Sequence, residues 1–164
     1  MLSFVQKFGG MIVSRKILFM IICILGLNIS LCAAAKNFSA DSAAIGGITT
    51  GSSIEYTKSI YGEPGEIRNS EKDQNIETWY YGDTFQIDFV DGIASAVVSS
   101  GANGLATPDG ITVGMKKKNM TSKYGRPQHT DKYGKRAIYS YQAENGAKMT
   151  FVIRDGIISE IRIN

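Results

Sequence analysis

Phe85-Gln86-Ile87-Asp88-Phe89-Val90-Asp91-Gly92-Ile93 is the stretch on which the reading of this chain turns. Phe85, Ile87 and Phe89 alternate with Gln86, Asp88 and Val90, the period of a strand with one covered and one wet face. Asp91-Gly92 is the dipeptide of a type I′ turn, so Ile93–Ser99 returns as the second arm of a hairpin. The same plan comes back further on as Met149-Thr150-Phe151-Val152-Ile153-Arg154-Asp155-Gly156-Ile157. Its return strand, Ile157–Ile163, sets Ile157, Ile161 and Ile163 against Ile158, Glu160 and Arg162.

Working outward from the two hairpins, other landmarks recur in the same order. Ile48-Thr49-Thr50-Gly51 matches Ile111-Thr112-Val113-Gly114. Tyr61-Gly62-Glu63-Pro64 matches Tyr124-Gly125-Arg126-Pro127. Trp79-Tyr80-Tyr81 matches Tyr139-Ser140-Tyr141. Ordered self-similarity of this kind is the signature of an internal repeat. It divides the chain into a first unit over residues 46–100, a linker over 101–110 and a second unit over 111–164, with a flexible lead-in at 36–45.

Each unit reads as one helix and three strands. Ser52 and Ser53 can cap a helix that runs to about Tyr61, with Ile54, Thr57, Ile60 and Tyr61 on one side. Gly62 can take the left-handed conformation that ends it, and Pro64 blocks continuation. The second helix runs from about Met115 to Tyr124 and stops at Gly125 and Pro127. Strands over Ile76–Tyr81 and Ala137–Gln142, rich in β-branched and aromatic residues, precede the two hairpins. One short helix covers three strands poorly. The expected fold is therefore α+β, with two tandem α-β-β-β units joined into one antiparallel sheet and both helices packed on one face.

The first 35 residues are different in kind. Arg15 and Lys16 precede the apolar run Ile17–Leu31, and Ala33-Ala34-Ala35 follows it. A positive n-region, an apolar h-region and a small-residue c-region make a secretory signal peptide, cleaved near Ala35, with an uncleaved anchor as the alternative. Met11 is a possible true start. A lipoprotein fits less well, because Leu31 is large where a lipobox wants a small residue before Cys32. Cys23 and Cys32 both lie in this segment, so the mature chain would have no disulfide and no thiolate chemistry. The expected location is secreted or periplasmic.

Composition bounds the remainder. A hydrophobic content of 43% and a charged content of 20% suit a globular chain. The formal charge of +3 belongs to the leader, which carries Lys7, Arg15 and Lys16 and no acid. The rest is neutral overall but divided, with residues 36–105 at net −6 and residues 106–164 at net +6. An exported, neutral chain is a poor nucleic-acid binder. His129 is the lone histidine and lacks a Ser or Cys partner in any known box. No catalytic residue, cofactor or metal is expected: Asp91 and Asp155 recur, but as hairpin residues, and no EF-hand or phosphate-loop spacing appears.

The residues that stand out are aromatic or basic. Trp79, Tyr80, Tyr81, Tyr133, Tyr139 and Tyr141 fall on equivalent strands and loops, and Trp and Tyr dominate binding hot spots. Lys116, Lys117 and Lys118 open the second helix, facing solvent, an acidic partner or anionic lipid. Ala94, Ala96 and Val98 would make a smooth apolar patch if uncovered.

A helix, a Tyr-Gly-x-Pro stop, a Trp/Tyr-x-Tyr strand and an Asp-Gly hairpin, twice over, resemble the tandem-repeat fold of the beta-lactamase inhibitory protein (BLIP-like). The plan is also similar to the BamE-like (SmpA/OmlA) outer-membrane assembly lipoproteins. The resemblance rests on Gly51, Tyr61, Gly62, Pro64, Trp79, Tyr81, Asp91 and Gly92, with second copies at Gly114, Tyr124, Gly125, Pro127, Tyr139, Tyr141, Asp155 and Gly156. It departs where the inhibitory proteins carry disulfides and the BamE-like proteins a lipid. It implies an extracytoplasmic protein-binding module; with no catalytic residue in the sequence, the expectation is a monomeric, non-catalytic binding or inhibitory module whose partner is another extracytoplasmic protein. The alternative it implies is an envelope-assembly factor with peripheral membrane association.

Overall fold

A computed structural model describes residues 38–71, 73 and 75–164. The expected signal peptide, its cleavage point, Met11 and both cysteines lie outside the described residues.

The α+β expectation is corrected by what the chain builds. The described residues form one eight-stranded antiparallel sheet with only two helices of eight residues and a single 3-10 turn at Ala40–Ser42. The strands are β1 (Glu66–Asn69), β2 (Ile76–Tyr81), β3 (Phe85–Val90), β4 (Ile93–Ser99), β5 (His129–Tyr133), β6 (Arg136–Gln142), β7 (Lys148–Arg154) and β8 (Ile157–Ile163). Helix α1 is Ile54–Tyr61 and α2 is Lys117–Tyr124. The order across the sheet is β1-β2-β3-β4-β8-β7-β6-β5. Each unit thus has four strands where three were expected. The extra ones, β1 and β5, sit at the two edges and are short, polar and largely exposed, so they lack the alternation that reveals a strand.

The hairpin chemistry sets the register. Asp91 and Gly92 both have positive φ (51° and 77°), as do Asp155 and Gly156 (48° and 79°), the requirement of a type I′ turn. Both hairpins carry a bulge, after Asp88 and after Val152, which twists the strands. The halves meet where Val97–Ser99 of β4 pairs with Ile161–Ile163 of β8. Val98 and Arg162 hold matching places in the two hairpins and pair with each other, so the halves are related by a local twofold through that pair.

One face of the sheet carries the core. Trp79, Phe85, Ile87, Phe89, Val97, Tyr141, Met149, Phe151, Ile161 and Ile163 are buried there. Two turns of helix are roughly 12 Å long and cannot roof eight strands. Loops do the remaining covering: Ile45, Ile48 and Ile111 are fully or nearly fully buried. The lead-in, expected to be flexible, packs over its described part. Phe38 lies between Tyr124 and Tyr141, with ring centroids 5.7 and 5.9 Å away. Nothing periodic in the sequence marked Phe38, because it reaches the core as a lone apolar residue in a loop.

Candidate functional site

The aromatic set does not form one surface. Trp79 and Tyr141 are 2% and 0% exposed, and Tyr139 is also buried. All three, with Tyr81, stand on the helix-covered face and belong to the core, not to a partner-binding surface as expected. Their parity explains it: Trp79 pairs with Ile87 and Tyr139 with Phe151, both fully buried.

Tyr81 and Tyr141 have a defined structural task. Gly62 ends α1 with φ 73° and Gly125 ends α2 with φ 74°. A helix leaves its last carbonyls without internal partners. The Tyr81 hydroxyl donates to the Gly62 carbonyl at 3.0 Å, and the Tyr141 hydroxyl donates to the Gly125 carbonyl at 3.0 Å. The Tyr-Gly-x-Pro stop and the Tyr-x-Tyr strand are thus two ends of one contact. Tyr61 similarly donates to the Gly46 carbonyl at 2.6 Å, and Tyr124 shares a 2.6 Å hydrogen bond with Thr107. Burial pushes the Tyr141 hydroxyl up to about 12 and raises Tyr124 too, with the nearby Asp109 adding to the effect.

The lysines start α2 on the helix side of the molecule. Lys116, Lys117 and Lys118 are exposed, and the Lys117 ammonium lies 5.7 Å from the Tyr139 ring. No acidic residue stands in the first turn.

The opposite face carries no described helix. A single cross-strand row runs over all eight strands: Glu66, Tyr80, Gln86, Val98, Arg162, Thr150, Ser140 and His129. Apart from Val98 the row is polar, and charged neighbours on the same face hold several of its members. The Arg68 guanidinium lies 4.6 Å from the Tyr80 ring and its Nε donates to Glu66 at 2.6 Å. Gln86 and Thr78 both donate to the Asp88 carboxylate, at 2.8 and 3.0 Å. Arg162 lies 3.6 Å from Glu160. Next to this row the two halves diverge. The first half ends in exposed Val90 and Ile93, beside Ile76, and the second in Arg136, Arg154 and Ile157.

Of the nine residues singled out from the sequence, only Tyr80 and Tyr133 share this open face. Alternation puts Gln86, Asp88 and Val90 opposite Phe85, which is the side on which they lie. Arg68, Arg136, Arg154 and Arg162 drew no attention because one charged residue on a strand looks like any solvated position. The smooth apolar patch is also corrected. The bulge turns Ala94 to the covered face, while Ala96 and Val98 are buried. Val98 stands between Gln86 and Arg162, whose longer side chains flank it.

Among the described residues no group of three or more His, Cys, Asp or Glu is placed to hold a metal. None of their helices is long and apolar enough to cross a membrane.

No family model matches the chain, and no curated protein matches it. Two solved structures are similar. One is an extracellular protein containing a SCP domain from Bacillus anthracis str. Ames, at 15% identity and a TM-score of 0.50, covering 70% of this chain and 43% of that one. This chain therefore spans less than half of that protein, and at such identity the likeness is one of fold. The other is a DUF4309 family protein (YjgB) from Bacillus subtilis subsp. subtilis str. 168, at 16% identity and a TM-score of 0.45, covering 72% of this chain and 82% of that one.

Proposed function

We propose that this chain is an exported, non-catalytic protein-binding or inhibitory module that engages its partner through the open face of the sheet. The observation that carries this reading is the uninterrupted row from Glu66 to His129 on a face no described helix crosses. Eight strands at about 4.8 Å spacing make a surface roughly 34 Å wide. Three rows of side chains give it the scale of one side of a standard interface, about 800 Å². Arg162 stands at its centre beside Val98, and Tyr80 lies two strands out towards the first edge; Tyr and Arg carry a disproportionate share of binding energy. The basic pair, apolar run and small residues over 15–35 read as an export signal and support the reading, and the open face differs between halves that are otherwise built alike, so its two ends present different chemistry.

The test is capture of partners by the full chain from envelope and culture-supernatant fractions, with partners identified by mass. Tyr80→Ala and Arg162→Ala should each weaken capture about tenfold or more while leaving the melting temperature close to the parent's. Trp79→Ala should weaken capture only as far as it unfolds the chain. Capture unchanged in both open-face variants would overturn the reading. Recovery of outer-membrane assembly proteins would favour the envelope-assembly alternative.

A further inference from the structure

The most unusual polar feature lies at the hairpin end of the second half, on the open face. Arg136 of β6 and Arg154 of β7 stand directly opposite each other in the strand register. Like charges so placed repel, and a sheet ordinarily avoids them. Neither guanidinium has a carboxylate partner among the described residues. The nearest hairpin acid, Asp155, lies 3.6 Å from the Lys135 ammonium. The Arg136 Nε is buried and has no hydrogen-bond partner among the described residues. A buried N–H without an acceptor calls for an explanation, and an absent ligand is one.

The fold itself does not demand charge here. The matching pair in the first half is Ile76 and Val90, which occupies the same cross-strand position with no charge at all. Tyr133, across from Arg136 on the other side, is 62% exposed. With Lys135, Arg136, Arg154 and Asp155 it lines a depression of about 310 Å³. Three cations and one carboxylate leave the depression positive, and one of the residues that line it, Arg136, carries the donor without an acceptor.

We propose that Arg136 and Arg154 form a binding site for an oxyanion, a phosphate or a carboxylate group, with the Tyr133 hydroxyl at its rim. Guanidinium groups fork such oxygens in pairs, and one anion between two guanidinium groups replaces their repulsion with two charge-assisted contacts. The site is independent of the protein-binding reading, since a small free anion suffices to fill it.

The test uses the full chain, titrated with sodium phosphate and separately with sodium acetate, sodium chloride holding ionic strength constant. Saturable shifts of the Arg136 and Arg154 Nε–H resonances are expected with at least one anion, and the arm that saturates first assigns phosphate or carboxylate. Arg136→Gln and Arg154→Gln should each raise the melting temperature in chloride, by removing the repulsion, and weaken the response to that anion at least tenfold. Arg162→Gln, which removes a guanidinium already beside Glu160, should leave the response intact. Shifts that stay linear with both anions, or an Arg154→Gln chain that responds like the parent, would overturn the site.

Discussion

At the residue scale, the tyrosine hydroxyls explain why the sequence landmarks are what they are. Tyr141 is fully buried yet carries a polar group, and that group is matched to the Gly125 carbonyl at the end of α2. Tyr141→Phe should therefore cost about 1–2 kcal/mol in chemical denaturation, because the carbonyl loses its partner. The same residue predicts a pH dependence. The unfolded chain releases the tyrosine proton near the usual value of 10, whereas the fold holds it to about 12. The folded state then binds more protons than the unfolded one, so stability falls as pH rises through that interval and is fully present below it. Tyr141→Phe should flatten the fall between pH 10 and 12, read from urea midpoints across the range. An equally steep fall in the variant would contradict this. Periodicity could show that Tyr81 and Tyr141 share a face with Phe85 and Met149. It could not show that their hydroxyls face helix ends, since that contact joins residues sixteen and nineteen positions apart.

At the element scale, the two helices are built alike but finished differently. Ser53 caps α1, accepting from the Tyr56 amide at 3.2 Å. The matching place before α2 is Lys116, whose side chain makes no cap, and lysines follow it against the positive end of the helix dipole. Its backbone, φ −68° and ψ 145°, is already that of a capping residue. Lys116→Ser should then stabilise the protein by about 1 kcal/mol, measured by denaturant unfolding. A neutral or destabilising result would mean that the lysine stem packs more than its exposure indicates.

The strands show where sequence reading succeeds and where it stops. The strand over Ile76–Tyr81 and the two around each Asp-Gly turn were legible because they have a covered face and alternate. Strands β1 and β5 were not. Ile67 and Tyr133 are their only large apolar side chains, at 48% and 62% exposed, so neither strand bears the imprint of a core. Their existence is decided by hydrogen bonding to β2 and β6, a long-range fact that no local pattern records. They also matter for stability in solution, since each leaves an unpaired edge. Arg68 on β1 and Lys132 on β5 place charge on those edges, one of the devices that discourage edge-to-edge pairing.

At the scale of the whole molecule, the chain uses one plan twice and then makes the copies chemically unlike. The covered face is shared property: Trp79 answers Tyr139, Phe85 answers Met149, Phe89 answers Ile153, and both halves bury them. The open face is where the halves differ. Glu66 and Arg68 answer His129 and Asp131, Asp88 answers Val152, and Ile76 and Val90 answer Arg136 and Arg154. A surface that is acidic and apolar at one end and basic at the other can fix the orientation of a partner laid across it. None of this could be located from the sequence, because which face the helices cover depends on how the hairpins pack. Only then do Tyr80, Gln86 and Arg162 separate from Trp79 and Tyr141.

The central claim, that the open face is the working surface, is tested most directly by photo-crosslinking in the native envelope. A photoreactive amino acid replaces Tyr80 or Arg162 on the open face, and Tyr56 or Ile60 on the exposed side of α1. The account predicts a discrete adduct from positions 80 and 162 and none from positions 56 and 60. Adducts from positions 56 and 60 with none from the open face would contradict it.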